Sequence, residues 1–466
     1  MTIGLYCMAS LCAAALLLPA RAEEGSWQEP EAPRIPARAF PITAFGGRGD
    51  GETMNTEAFR AAIQACAKAG GGRVVVPAGT FVTGPIELAS HTALVLEKGA
   101  VIQASDKFSD FGLPNPLPSV QSEIDPLKKS LRHLISGSKL EDVAILGEGT
   151  IDGAGAVWWA KSDKASERAM PAPAPVQSAR PGESAPPPGK PLYVPRPHLV
   201  VLRDCARVHV QGVTLRNSPM FHFVPSRCHD VLVEDVTIQS PSDSPNTDGI
   251  DPANCRDVLI RRCTIDTGDD NIALKAGAGG GFPTENVMVA DCKFLHGHGV
   301  SIGSEAQTGV RHFLVQRCAF ENTVTALRIK SDRTRGGVVE DVIYRDITMK
   351  NVDTAISIFL FYDNKKAALA PESKPITKDT PIVRNIHYLN IVCDGARRKA
   401  VEIVGLPESP VGDVTLENVK ITGAASGIVQ QDVKGLRLID VEVQPPPAAT
   451  APGSQGRSVI SNPSLP

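Results

Sequence analysis

Residues 256–264 read RDVLIRRCT, residues 285–293 ENVMVADCK and residues 311–319 RHFLVQRCA. Each time two apolar residues flank one outward position, and a cysteine stands five places after the first of them: Val258 and Cys263, Val287 and Cys292, Phe313 and Cys318. Such alternation puts every second side chain on one face of a strand. The figure also opens at Val143, Val208 and Val231 upstream and at Val342, Ile386, Val414 and Leu436 downstream. From Val208 the openings are 23, 27, 29, 26, 29, 44, 28 and 22 residues apart. Short strands recurring at about 20–30 residues are the mark of a solenoid, in which each unit buries its face against the next. Leucine-rich repeats share the period, but their Leu and Asn positions and helical segments are missing. The expected fold is therefore all-β, a right-handed parallel β-helix, because parallel crossovers are overwhelmingly right-handed. Each coil adds about 4.8 Å to the stack.

Outward from the repeat, the chain of 466 residues reads as one long domain over 39–443 with a capping region at 39–100. Ala58, Phe59, Ala62, Ile63, Cys66 and Ala69 fall at helical spacing, Asn55 or Thr56 is placed to cap, and Gly70-Gly71-Gly72 ends the run. A helix there would close the open end of the first coil. Residues 1–22 read as a secretory signal, with an apolar run from Leu5 to Leu18 and Ala20-Arg21-Ala22 as the cleavage pattern. The run is shorter than the roughly 20 residues of a spanning helix, so a secreted or periplasmic protein is expected, free of the membrane after cleavage. Residues 23–38 read as a flexible leader and 444–466 as a disordered tail. Residues 107–135 interrupt the repeat. So does the Pro-rich stretch 160–197, which reads either as a disordered surface loop or as a wall at one end of a cleft.

Formal charge is −3, about −4 once Arg21 leaves, with no basic stripe, so nucleic acid is not an expected partner. Of ten cysteines, Cys7 and Cys12 leave with the signal. The repeated position of Cys263, Cys292 and Cys318 suits unpaired thiols stacked in a core, with a disulfide or two elsewhere left open.

Four polar motifs sit on this frame: Asn246-Thr247-Asp248-Gly249, Gly268-Asp269-Asp270, Gly297-His298-Gly299 and Arg328-Ile329-Lys330. From Asp248 to Asp269 is 21 residues, from Asp269 to His298 is 29 and from His298 to Arg328 is 30. Alone, each is an ordinary turn or strand edge. In register, one per coil, they put three acids, a histidine and two cations on one face, in the second strand of each coil or the bend leading into it. That is a catalytic cleft for an anionic substrate. Arg328 and Lys330, two apart in a strand, point the same way. No second His or Cys joins His298 at ligand spacing, so no metal and no cofactor is expected.

In this order the four motifs resemble the signature of the polygalacturonases of glycoside hydrolase family 28. Asp50-Gly51 with Asn55-Thr56, Gly79-Thr80-Phe81 with Gly84-Pro85-Ile86, Gly149-Thr150-Ile151-Asp152-Gly153, Asn217-Ser218-Pro219 and Ser301-Ile302-Gly303-Ser304-Glu305 extend the resemblance over roughly residues 40–440. Phe221-His222 departs from it, where many members carry Trp. The resemblance implies a monomeric secreted hydrolase that cleaves α-1,4-galacturonosidic bonds of pectic polysaccharide with inversion. Asp269 would be the general acid, Asp248 and Asp270 would hold and deprotonate water, and His298 would hydrogen-bond the acid. Inversion needs carboxyl groups about 6.5–9.5 Å apart, a separation that neighbouring coils can supply. Clustered carboxylates should raise the proton affinity of one, keeping the acid protonated. Arg328 and Lys330 suit a galacturonate carboxylate. Asn246 belongs to the same binding set, and Tyr362 resembles a ring-binding tyrosine. Lys275 reads as a contact for a neighbouring sugar or as a solvated lysine. The rival expectations are a calcium-dependent β-eliminating enzyme on the same fold and a non-catalytic glycan-binding β-helix.

Overall fold

The computed structural model describes residue 27 and residues 29–118, 121–160 and 194–446. The signal 1–22, residues 161–193 of the Pro-rich stretch and the tail beyond 446 lie outside the described residues. The chain winds as a right-handed parallel β-helix. One coil runs Arg256–Arg261, Thr264–Asp266, Ile272–Leu274; the next runs Thr284–Ala290, Lys293–Phe294, Val300–Ile302; the next Val310–Gln316, Ala319–Glu321, Thr325–Lys330. Each strand pairs in parallel with its counterpart one coil on. Three strands make a coil, where the repeat had suggested two. The difference matters for the motifs, which belong to the third strand and the bend before it.

The core follows from the register. Val208, Val231, Val258, Val287, Phe313, Val342, Ile386 and Val414 stack in one column of the first sheet, all buried. Val210, Val233, Ile260, Val289, Val315, Tyr344, Tyr388 and Leu416 stack in the next inward column, where Tyr344 and Tyr388 lie ring on ring at 5.0 Å. Burying each such side chain contributes about 1.5–3 kcal/mol. Between first and second strands stands one left-handed residue, Asp235, Arg262, Asp291 or Arg317, with φ between 50° and 57°. A one-residue bend explains why the cysteine always comes five places after the strand opens. These bends also stack: Arg262 Nε donates to Asp235 Oδ1 and Arg317 Nε to Asp291 Oδ1, both at 2.8 Å.

Cys263, Cys292 and Cys318 lie buried just inside the bends, their thiols 3.8–3.9 Å from the carbonyls of Val233, Ile260 and Val289 on the preceding coil. Cys205, Cys228 and Cys255 form a second set that the repeat did not reveal, and every cysteine among the described residues is buried and unpaired. At the start of the stack, α1 (Thr56–Lys68) buries Ala58, Phe59, Ala62, Ile63 and Cys66. It packs on Ala39–Pro41, Ile42–Phe45 and Gly72–Val76. Asn55 stands at its N-terminus but makes no side-chain cap. Its amide is committed to Arg48, whose N–H it accepts at 2.7 Å, and to the Thr53 carbonyl. Residues 29–38 have no regular structure, yet Glu31 N–H donates to Asp230, Arg34 N–H donates to Asp142, and Glu29 pairs with Arg261 at 2.9 Å. In the 107–135 interruption, Phe108 and Phe111 pack against buried Trp158.

Candidate active site

The third sheet places the motifs. Along it, Phe223, Ile250, Ile272, Val300, Leu327 and Ile356 point inward and are buried. One residue further, period-two alternation turns Asp251, Ala273, Ser301 and Arg328 outward, and Lys275 and Lys330 follow two positions later on the same face. Two residues before the inward column, in the bend, the same register aligns Asp248, Asp270 and His298 on successive coils. The acids therefore precede the third strand and the cations lie in it.

Each bend is built tightly. Thr247 Oγ1 accepts the Gly268 N–H at 3.0 Å, and Asn271, fully buried, accepts the Gly299 N–H while donating to the His296 carbonyl at 2.7 Å. The glycines of the motifs are required by this approach. A Cβ at Gly268 would stand 2.1 Å from the Ser244 carbonyl oxygen, and one at Gly249 would stand 2.4 Å from that of Asn271. Behind Asp248, the buried His222 ring donates from Nδ1 to the Asp248 carbonyl at 2.9 Å, leaving Nε2 to accept from Ser240 Oγ at 3.1 Å.

Asp270 is the most heavily partnered acid. Lys330 Nζ donates to its Oδ2 at 2.5 Å and Ser301 Oγ to its Oδ1 at 2.9 Å, with Arg328 Nη1 at 3.5 Å. Burial alone would raise its proton affinity, but Lys330, His298 and Arg328 together hold it well below the usual carboxylate range, so it is ionised. His298 Nδ1 lies 3.1 Å from Asp269 Oδ1 and 3.6 Å from Asp270 Oδ1, without the alignment of a full hydrogen bond. Burial opposes its charge, yet the two acids outweigh burial and raise it above its ordinary value. Asp269 accepts the Asp270 N–H at 3.0 Å and faces Asn246 Nδ2 at 3.5 Å. The carboxyl whose proton affinity the cluster visibly raises is Asp248, through burial first and then Asp251 and Asp269.

Asp269, Asp270 and His298 offer ligand atoms within 4.8 Å of one another. The donor set does not suit a divalent cation. A ligating imidazole must be neutral, whereas His298 is held toward its charged form, and Lys330 already neutralises Asp270.

Tyr362 joins the site, its ring lying under Arg328 and Lys330 at 5.5 and 5.3 Å. Lys275 is no solvated lysine. Its ammonium lies 3.6 Å from both Asp251 and Glu305 and 5.2 Å over the Phe221 ring. All nine residues singled out in the sequence thus gather on one face. Several neighbours were missed. Asp251 is fully buried with neither carboxylate oxygen hydrogen-bonded among the described residues, and burial pushes it up to about 7. Its signal was present in the strand alternation around Ile250. Buried Arg196 donates to the carbonyls of Pro219 and Pro245 and, at 2.8 Å, to Asn246 Oδ1, which orients that amide toward Asp269. It stands at the end of the Pro-rich stretch, where no repeat marks it.

Comparison with known proteins agrees with this geometry. The family model described as glycosyl hydrolases family 28 matches residues 193–437, and one described as rhamnogalacturonase A/epimerase, pectate lyase-like, matches residues 39–165. A probable polygalacturonase of Vitis vinifera is 31% identical over 89% of this chain and 81% of its own. An endo-polygalacturonase of Pectobacterium carotovorum subsp. carotovorum is 32% identical over 79% of this chain and 84% of its own. Among solved structures, a hyperthermoactive exopolygalacturonase from Thermotoga maritima superposes with a TM-score of 0.73, at 30% identity, over 89% of this chain and 94% of that one.

Proposed function

The chain belongs to glycosyl hydrolases family 28, and from that premise we propose that it hydrolyses the α-1,4-galacturonosidic bonds of pectic polysaccharide with inversion, as an exported enzyme. The observation that carries this reading is the column of acids set beside the Arg328–Lys330–Tyr362 cluster. Asp270, ionised and buried, takes a proton from water while the water oxygen attacks the anomeric carbon. Asp248, whose proton affinity burial and its acidic neighbours raise, holds that water by hydrogen bonding. Asp269 delivers a proton to the departing glycosidic oxygen. An oxygen of its carboxyl lies within 4.8 Å of one of Asp270, closer than the roughly 6.5–9.5 Å usual for inversion. Membership of the family rather than this separation therefore supports the inverting outcome. His298, held toward its charged form and 3.1 Å from Asp269, keeps that carboxyl aimed at the bond and shares in the proton of the pair. Arg328 meets the carboxylate of the galacturonate ring, with Tyr362 as the surface on which the ring rests.

The similarity to an exopolygalacturonase and the interruptions at 107–135 and 160–197 support cleavage from a chain end. The residues 23–466 incubated with polygalacturonate and EDTA should release reducing ends with no rise in absorbance near 235 nm. Monomer as the sole early product is the expected pattern, and a ladder of sizes would make the action internal instead. Absorbance that EDTA abolishes would overturn hydrolysis in favour of calcium-dependent elimination.

A further inference from the structure

The three acids of the site are not held alike. Asp270 is gripped through its carboxylate by Lys330 and Ser301, and the Asp269 carboxyl accepts the Asp270 N–H. Asp248 Oδ1 is buried and has no hydrogen-bond partner among the described residues. The aim of the Asp248 carboxyl is therefore set by its backbone.

That backbone is clamped from two coils. The Asp248 carbonyl and the Gly249 N–H belong to one planar peptide unit. The carbonyl accepts two hydrogen bonds, from the His222 N–H at 2.8 Å and from His222 Nδ1 at 2.9 Å. The Gly249 N–H donates to the Asp270 carbonyl, one coil on, at 2.9 Å. With both edges of the peptide tied, the Asp248 Cα and the Cβ it carries have little room to swing.

Any residue at position 222 would supply the main-chain bond, but the second donor needs a side chain of one particular kind. His222 is fully buried and out of the substrate's reach. Its Nε2 accepts from Ser240 Oγ at 3.1 Å and lies 3.4 Å from the Ser218 N–H. With those donors at Nε2, the ring's own proton sits on Nδ1, facing the Asp248 carbonyl. Burial pushes the ring down to about 4, so it stays neutral and keeps this tautomer. Ser240 opens the turn that leads to Asn246, and Ser218 belongs to the turn before His222. The ring thus joins both turns to the peptide that carries Asp248.

We propose that His222 is a positioning residue for hydrolysis, directing the Asp248 carboxyl onto the attacking water through the Asp248 carbonyl. The proposal rests on the reading of Asp248 as a water-holding acid given above, and adds what aims it.

The test compares His222→Asn with His222→Gln by kcat and KM on polygalacturonate, with melting temperature as the check on folding. The Asn amide nitrogen stands where Nδ1 stands, keeping the donor to Asp248 and giving up the contact with Ser240. Gln does the reverse, placing its amide oxygen where Nε2 accepts and leaving the carbonyl with one donor. His222→Gln should lower kcat about tenfold to a hundredfold, the scale of a misplacement of about 1 Å. Its KM should be unchanged, because the ring does not touch the sugar. His222→Asn should keep kcat within about threefold of the wild type. A purely structural role predicts equal losses in the two variants, and that result would overturn the proposal. So would wild-type kcat in His222→Gln, or a rise in KM without a fall in kcat. Should His222→Gln not fold, His222→Asn decides alone, retained kcat upholding the proposal and a loss as deep as that expected of Gln overturning it. A wild-type chain that releases no reducing ends from polygalacturonate would overturn the hydrolase reading, and the positioning role with it.

Discussion

Asp269→Asn is expected to lower kcat on polygalacturonate by about a hundredfold to ten-thousandfold, the range of a positioned general acid. The substitution is nearly isosteric, and the Asp270 N–H that Asp269 accepts at 3.0 Å finds the amide oxygen in the same place. Folding should be preserved and substrate affinity little changed. What is lost is the proton for the departing sugar. An aryl galacturonide whose leaving group needs no protonation should therefore be cleaved by this variant with a far smaller loss. Asp270→Asn should be damaged as severely but without that rescue, because activation of water is required whatever departs. Equal rescue of the two variants would show that the roles are assigned to the wrong carboxyls.

The second large effect is expected at Lys330→Met. The Lys330 ammonium donates to Asp270 at 2.5 Å and both side chains are buried. It leads the groups that hold Asp270 ionised against burial. Removing it leaves Arg328 at 3.5 Å, Ser301 and His298 to resist protonation. The sign follows directly. A carboxylate whose proton affinity was depressed regains it, so Asp270 protonates at higher pH and the acid limb of kcat/KM moves upward by about one to three pH units. Near pH 4 the loss should exceed about a hundredfold, shrinking as pH rises. Lys330→Arg should recover only part, since a planar fork does not fit a site built for a compact ammonium. A parallel loss at every pH would mean that Lys330 serves substrate binding alone. The profile across pH 3.5–7 distinguishes the two.

The solenoid was legible because its physics is local and repeated. Alternation around Val258, Val287 and Phe313 states which face is buried, and a one-residue left-handed bend keeps Cys263, Cys292 and Cys318 in step. The catalytic face was legible for the same reason, since one motif per coil becomes a column. The short second strands carry only two or three residues, such as Lys293–Phe294, too few to show alternation, so the third strand of each coil went unseen. Asn55 looked like a helix cap, but its amide found backbone partners in Arg48 and Thr53. Arg196 was invisible because it and Asn246 come from segments far apart in sequence, brought together only by coil register. Asp251 was missed although it stands three residues from Asp248. What sets it apart is Lys275 beside it and its burial, which a motif does not record.

The central claim is that water attacks from Asp270 on one side of the ring while Asp269 protonates the bond on the other. Proton NMR of the anomeric signals in the first minutes of galacturonan cleavage tests it most directly. The account predicts that the β anomer of the new reducing end appears first and that the α anomer grows in only by mutarotation. The α anomer appearing first would mean retention, a covalent intermediate and a nucleophilic carboxylate, and would contradict the mechanism.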